Sequence, residues 1–417
     1  MYSSTTLHRA WLLILSILVI ASTQAAAQAG QLDPTFGTGG IVTTDFGNIR
    51  YSSNAATASA VTIQPDGKIL VCGGVPSSTG FSGAALARYN KDGSLDKGFG
   101  NAGVVVTPSL TPFTSITLQT DGKIVVAGPS GGLKINVARY TTKGSLDSTF
   151  GTGGIFTSGF IVGSDGPSNV IIQPDGKILV ADGAMLRLLS DGQLDTSFGT
   201  AGQATVLGSN TASMALLPNG RILVGLALAT GDFASSGFVT RYKSNGNLDT
   251  SFGINGQLAS AGPANRLVLL STGEFLVDGS LANSLTGPST GFAVSRYLGM
   301  GLADAKFATH GGVVTPVPNF PTIATSGLGV QSSGDIVTLG TASANFSNFV
   351  FALTRYTPAG KLDTTFGTNG IVTTSFGSDY VTANALAIQS DDKIVAVGSY
   401  IDQSSDTGFK LTRYLGH

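Results

Sequence analysis

The chain has 417 residues and a formal net charge of −1, and only 11% of its residues are charged against 42% apolar and aromatic ones. That apolar content excludes a disordered chain, and near neutrality without a basic run excludes the electrostatic footprint of a nucleic-acid or anionic-lipid binder. Fifty-eight glycines, with few Lys and Glu, favour short strands and tight turns over helices.

From the N-terminus, residues 1–29 read as a secretory signal. His8 and Arg9 form a weakly positive start, Trp11 to Ala21 is an apolar run, and Ala27-Gln28-Ala29 is a small-residue cleavage pattern. The run is short for a membrane span. No later stretch reaches 18 uninterrupted apolar residues, so residues 30–417 are expected as an exported, soluble domain that does not touch a membrane once the signal is cut. Cys72, the only cysteine, excludes an intramolecular disulfide; in the run Ile69 to Cys72 it reads as a buried, inert thiol.

Beyond the signal the chain repeats itself. A first turn recurs at Asp66-Gly67-Lys68, Asp121-Gly122-Lys123, Asp175-Gly176-Lys177, Asn219-Gly220-Arg221, Thr272-Gly273-Glu274, Ser333-Gly334-Asp335 and Asp391-Asp392-Lys393. An arginine follows at Arg88, Arg139, Arg187, Arg241, Arg296, Arg355 and Arg413, always before tyrosine except at Arg187. Leu-Asp-x-x-Phe-Gly starts at Leu32, Leu95, Leu146, Leu194, Leu248 and Leu362, with a worn copy around Asp304 and Phe307. After each of the first six arginines, glycine, aspartate and phenylalanine fall at fixed offsets, as in Gly93, Asp96 and Phe99, so insertions are pushed elsewhere.

Asn90-Lys91-Asp92-Gly93 suits a type I turn with a left-handed glycine, which faces Arg88 with Asp96. Exposed, such a pair contributes from tenths of a kcal/mol to about 1, and serves mainly to fix register. Each unit then reads as four strands: a before the first turn (Ala60 to Gln64), b after it (Lys68 to Cys72), c ending at Arg-Tyr, and d carrying Leu-Asp-x-x-Phe-Gly. A further extended piece such as Gly40 to Thr44 follows d. Turns spaced 44 to 61 residues apart point to an all-β, seven-bladed β-propeller of four-stranded blades. The last unit stops at His417 without a strand d, and the chain opens on an orphan one, Leu32 to Gly37. The N-terminal strand is therefore expected to complete the C-terminal blade, pair Asp33 with Arg413 and leave no open edge.

These landmarks, Pro-Asp-Gly-Lys-Ile-Leu-Val, Ala-Arg-Tyr and Asp-Gly-x-Leu-Asp-x-x-Phe-Gly, resemble the delta-60 repeats found in tandem in exported bacterial proteins. The unit is also similar to a longer NHL-type propeller repeat. The resemblance implies a propeller and carries no activity or catalytic residues with it. Asp304 and the glycine-free turn at Asp391 depart from the pattern.

For chemistry the residues offer little. His310 and His417 are the only histidines after the signal, so neither a Ser-His-Asp set nor a Cys/His zinc cluster can be assembled. The aspartates sit in turns or opposite arginines, with no calcium-loop series, and the Gly-rich stretches lack a phosphate-loop lysine. No cofactor or metal is expected. The recurring Tyr and Phe read as core between blades. A propeller ligand commonly sits near the axis; the residues seven before each first turn are Ser59, Thr114, Ser168, Ala212, Asn265, Ser326 and Asn384, with Arg266 following Asn265. Of these, Asn265, Arg266, Asn384, Ser59, Ser168 and Ser326 are the candidate ligand residues, with capping of strand starts as the structural alternative. The b–c connections vary, short at Ala181 to Met185 and long at Gly279 to Gly291 and Ser399 to Gly408, and should crowd one face. The expectation is a monomeric binding or scaffold protein for a protein, peptide or glycan at a cell surface. The alternatives are a hydrolase or lyase with an axial pocket, and a purely structural envelope protein.

Overall fold

The computed structural model describes residues 28–48, 55–76, 83–131, 133–159, 161, 168–207, 211–230, 234–260, 262–282, 289–344 and 347–417. The signal expected over 1–29, Gln28 and Ala29 apart, lies outside them, as does the middle of the Gly279 to Gly291 connection.

Twenty-eight strands, from β1 (Ile41–Asn48) to β28 (Asp406–Tyr414), form seven antiparallel four-stranded sheets. Blade 1 spans residues 57–107, blade 2 115–157, blade 3 169–205, blade 4 211–260, blade 5 266–316 and blade 6 322–375. Strand a of each blade touches strand a of the next around the whole ring, which places these strands at the axis. Strand a of blade 1 runs Thr57–Ile63, three residues earlier than its apolar run begins in the sequence reading.

Both hairpin turns have the expected form. The Gln64 amide donates to the Lys68 carbonyl (2.8 Å) and the Asn90 amide to the Ser94 carbonyl (2.8 Å). Gly67 and Gly93 take φ of +82° and +87°. At Gly93 the requirement is double, since a Cβ would also fall 2.6 Å from Val42 Cγ2 and 2.9 Å from the Phe36 ring. Asp392 fills the corresponding place in the glycine-free turn at φ +61°. Its carboxylate accepts the Ser332 amide of blade 6 at 2.7 Å, which helps hold that conformation.

The fourth strand is not the one expected. Leu-Asp-x-x-Phe-Gly contributes only a single bridge, Tyr89 with Leu95, and then turns. Asp96 Oδ1 accepts the Gly98 amide at 3.0 Å and the Asp96 carbonyl accepts the Phe99 amide at 3.0 Å. Side-chain capping of its own backbone outcompetes the ladder. Strand d is instead the extended piece that follows, Val104–Thr107 in blade 1, paired with strand c from Ala84↔Thr107 to Ala87↔Val104.

The ring closes as expected, through that same piece. The last sheet has the order β1-β28-β27-β26, with β26 at Tyr380–Ile388 and β27 at Ile394–Ile401. Ile41 pairs with Thr412 and Asp45 with Gly408. The chain break lies inside the c–d turn of blade 7. Leu415 and Gly416 supply its first half, Ala29 and Gly30 its second, and the Gly30 amide donates to the Leu415 carbonyl (2.8 Å) as that of Gly93 does to Asn90 (3.0 Å).

The apolar core is a circle of interfaces. One cluster joins blades 1 and 2 through Leu70, Leu86, Phe99, Ile124 and Tyr140, and equivalent clusters fill the other gaps. Tyr89 is fully buried and its hydroxyl shares a 2.7 Å hydrogen bond with Thr44 of the preceding blade. Cys72 lies in the first cluster, where burial pushes its thiol far up.

Candidate functional site

The turns and the b–c connections emerge on opposite faces of the ring, because strands b and c run antiparallel. On the turn face the arginine–aspartate pair recurs seven times. Arg Nε donates to Asp Oδ2 at 2.7–2.9 Å in Arg88–Asp96, Arg139–Asp147, Arg187–Asp195, Arg241–Asp249, Arg296–Asp304, Arg355–Asp363 and Arg413–Asp33. Each guanidinium lies 4.4–4.8 Å over the phenylalanine of its own repeat. Its Nη1 then donates to a turn carbonyl of the next blade, Thr142, Ser190, Ser244, Gly299, Pro358, Gly416 and finally Lys91.

Five of the pairs are buried in both partners, with Arg296 and Asp363 half-buried in the other two, not exposed as the sequence suggested, because the neighbouring blade covers them: Arg139 is 5% exposed and Asp147 6%. Burial raises the Asp33 pKa, but the Thr35 hydrogen bonds and the charges of Arg413 and Lys393 outweigh it and hold it at about 2. A cavity of about 770 Å³ on this face is lined by Gln64, Lys91, Gln389, Asp391, Lys393 and Arg413, all members of the repeated pattern. The turn face is thus occupied with holding blades together.

The opposite face carries the starts of the a strands. Ser59, Ala212, Ser326 and Asn384 sit where the a–b register slips, between Ala58 and Ala60, Thr211 and Ser213, Thr325 and Gly327, and Ala383 and Ala385. Thr114, Ser168 and Asn265 immediately precede their strands. A bulge re-aims a side chain, and several of these groups reach the adjacent blade. Thr114 Oγ1 accepts the Ser168 amide (2.9 Å), Asn265 Nδ2 donates to Thr325 Oγ1 (2.9 Å), and Asn384 Nδ2 donates to the Ala58 carbonyl (2.7 Å). Ser326 Oγ reaches only the Leu339 carbonyl of its own blade, at 3.5 Å.

Two cavities open here. A mouth of about 530 Å³ is lined by Ser59, Thr114, Arg266, Tyr380, Asn384 and Tyr400 among others. A narrower throat of about 170 Å³ is lined by Thr114, Ser168, Asn169 and Arg266 among others. Ser59, Thr114, Ser168, Arg266 and Asn384 therefore come together around connected space, whereas Asn265 and Ser326 line neither cavity. Arg266 belongs to both. Its Nη1 donates to the Asn265 carbonyl (3.0 Å), and its Nη2 crosses to the Asn384 carbonyl of blade 7 (3.3 Å).

Opposite Arg266 in the a–b ladder stands Asp278. Sequence reasoning passed it over. It is 1% exposed, and burial pushes its pKa up to about 7 against the charge and the backbone amide of Arg266. The signal was present in the repeats: the positions matching Asp278 hold Cys72, Ala127, Ala181, Gly225, Leu339 and Val397, and those matching Arg266 hold Ala60, Ser115, Asn169, Ser213, Gly327 and Ala385. Among the described blades only blade 5 sets an arginine opposite an aspartate where its sisters place small or apolar groups. His310 is exposed in its loop, and His417 lies 3.3 Å from Asp392 on the turn face. Among the described residues no group of three or more His, Cys, Asp and Glu is placed to hold a metal.

Five segments, residues 64–99, 119–150, 173–198, 217–252 and 331–366, match the family model described as a domain of unknown function (DUF5122) beta-propeller, so the repeats are those of a β-propeller repeat family. No curated protein sequence matches the chain. Among solved structures, a catalytically inactive virginiamycin B lyase from Staphylococcus aureus with quinupristin is similar at TM-score 0.50 and 12% identity, over 89% of this chain and 99% of that one. A protein of unknown function from Dyadobacter fermentans follows at 0.45 and 10%, over 91% and 100%, and the Dos1 propeller at 0.44 and 10%, over 88% and 94%. At such identities the likeness is one of fold.

Proposed function

We propose that this is an exported binding module of the delta-60 repeat kind, which recognises a protein, peptide or surface polymer through the face bearing the b–c connections and the channel mouth. One observation carries the reading: the turn face obeys a single rule seven times, while the mouth is built from short polar residues that follow no such rule, with one arginine among them, around open space. Recognition on a rigid scaffold concentrates where the scaffold does not dictate the residue. An axial enzyme is less well supported, since Arg266 is the only charged side chain among the described residues lining the two cavities.

Export follows from the N-terminal segment. The Ala29 carbonyl accepts the Gly367 amide (2.9 Å), the role the Asp92 carbonyl plays for Gly37. In this reading the leader is therefore cut at or before Gln28, short of the 29 residues that the Ala27-Gln28-Ala29 pattern suggests.

The test is saturable binding of the purified, exported protein to cell-envelope fractions, after N-terminal sequencing. The expected Gly279 to Gly291 and Ser399 to Gly408 connections are largely ladder, with Gly279 paired to Ala293 and Ser399 to Phe409, so it is the ends of these two hairpins that should be trimmed, and binding should then be lost. Undiminished binding by a folded loop-shortened variant overturns the reading, and an N-terminus at Gly30 overturns the processing site.

A further inference from the structure

We propose that two copies of this chain associate through an apolar patch on the turn face, made by Leu298, Met300 and Leu302 of blade 5 with Ile254 of blade 4. The inference concerns the face opposite the mouth and stands independently of the binding reading above.

The patch is exposed and continuous. Ile254 is 81% exposed, Leu302 66%, Met300 53% and Leu298 38%. The Leu298 amide donates to the Leu302 carbonyl across the c–d turn (2.8 Å), and the Gly253 amide beside Ile254 donates to the Met300 carbonyl (3.2 Å). Arg241 Nη2 lies 3.9 Å from Met300 Sδ, which ties that side chain to blade 4. The fold does not ask for apolar groups here, since the Asn90 to Ser94 turn makes the same bond between polar residues. Where Ile254 stands, the six sister blades place Thr or Asn, and where Leu302 stands they place Ser, Gln, Asn or Lys. Where Met300 stands they place Asp, Lys, Asn, His or Ala. The turn face joins its blades through largely buried groups, and these four side chains lie outside that pattern. Single exposed apolar residues are ordinary on a protein surface, but a contiguous group marks a contact.

Size and charge identify the occupant. At those exposures the four side chains present roughly 450 Å² of apolar surface, within the range of patches that carry function. One side of a stable interface buries about 800 Å², a little over half of it apolar, so this patch supplies the apolar share of one side. A second copy brings the other, and a two-fold axis through the patch makes the isologous contact that most soluble oligomers use. A lipid surface needs a basic rim instead. Here Glu274, in the a–b turn that packs against Gly299, stands where five sister blades carry Lys or Arg. Arg296 is committed to Asp304 at 2.7 Å. Charge is thus thinned around the patch, as at the core of a protein–protein contact, where methionine is also enriched. The pairing sets turn face against turn face and leaves both channel mouths outward, in place of the monomer that the sequence leads one to expect.

The test follows the exported, processed protein by sedimentation from about 1 to about 100 μM. A dimer should form in that range and persist in high salt, which screens charge and leaves apolar contact intact. Ile254→Thr, Met300→Asn and Leu302→Ser introduce residues that sister blades carry at the same turns, so the ring should keep its circular dichroism and cooperative unfolding. Together they should weaken association at least about tenfold, and each alone several-fold. Val314→Thr, at an apolar position 49% exposed on strand d of blade 5, should leave the dimer as it is. A monomer throughout the range, association unaltered by the three replacements, or equal weakening by Val314→Thr overturns the inference. So does capture of the monomer by phosphatidylglycerol vesicles that the three replacements abolish, since a lipid surface would then be the occupant.

Discussion

The two faces of the ring are made by different rules. On the turn face one constellation, an arginine gripping its own aspartate, lying over its own phenylalanine and reaching a carbonyl of the next blade, repeats seven times and crosses even the break between the chain ends. At the mouth the blades contribute mostly short polar residues that recur only in part, serine in blades 1, 3 and 6 and asparagine in blades 5 and 7, and blade 5 places Arg266 and Asp278 where its sisters carry small or apolar residues. The difference teaches where each burden sits: blade-to-blade cohesion is concentrated at one end, so the residues at the other are free to differ.

Removing residues 30–45 puts that division to its hardest test. It takes away Asp33 and most of β1, leaves Arg413 buried without its partner and opens a sheet edge. Cooperative thermal unfolding and monodispersity should both be lost; a truncated chain that stays monodisperse with an unchanged Tm would show that closure does not depend on this staple.

A single internal staple comes next. Arg139→Met leaves Asp147 buried and severs the link to Ser190, so a loss of about 3–5 kcal/mol is expected in urea unfolding. Lys123→Met, removing a cation 3.0 Å from the same aspartate but about a third exposed, should cost less than about 1 kcal/mol. Similar losses for both would mean that the buried link between blades is not what matters.

The remaining effect belongs to the mouth and is read as a slope. The folded-state pKa of Asp278, about 7, lies above its ordinary 3.8, so the folded protein holds this proton more tightly than the unfolded chain. The stability so contributed is full below about pH 4 and is lost as pH rises toward 7, by on the order of 4 kcal/mol. Asp278→Asn should flatten that part of the stability–pH curve. An unaltered slope would mean that Asp278 is already ionised in the folded ring.

Much of this was legible in the residues. Fixed offsets from each arginine marked the repeat, its turns, the Arg–Asp pairing and the closure of the last blade by the N-terminal segment, because all of these depend on contacts a few residues apart or on copy number. The strand assignment failed at Leu-Asp-x-x-Phe-Gly, where the aspartate side chain binds the amide two residues on and bends a segment whose composition reads as extended. Asp278 was missed for another reason. Inside Phe275-Leu-Val-Asp it looks like the end of an apolar strand, and only pairing with the strand before it sets it beside Arg266.

By itself, then, the sequence determined the unit, the number of blades and the way the ring shuts, since local hydrogen bonds and spacing carry that information along the chain. Tertiary structure decided which of those groups are buried and which line a cavity. Burial of the Arg–Asp pairs is conferred by the next blade, about fifty residues away, and the mouth exists only where blades 1, 2, 5 and 7 meet across the axis.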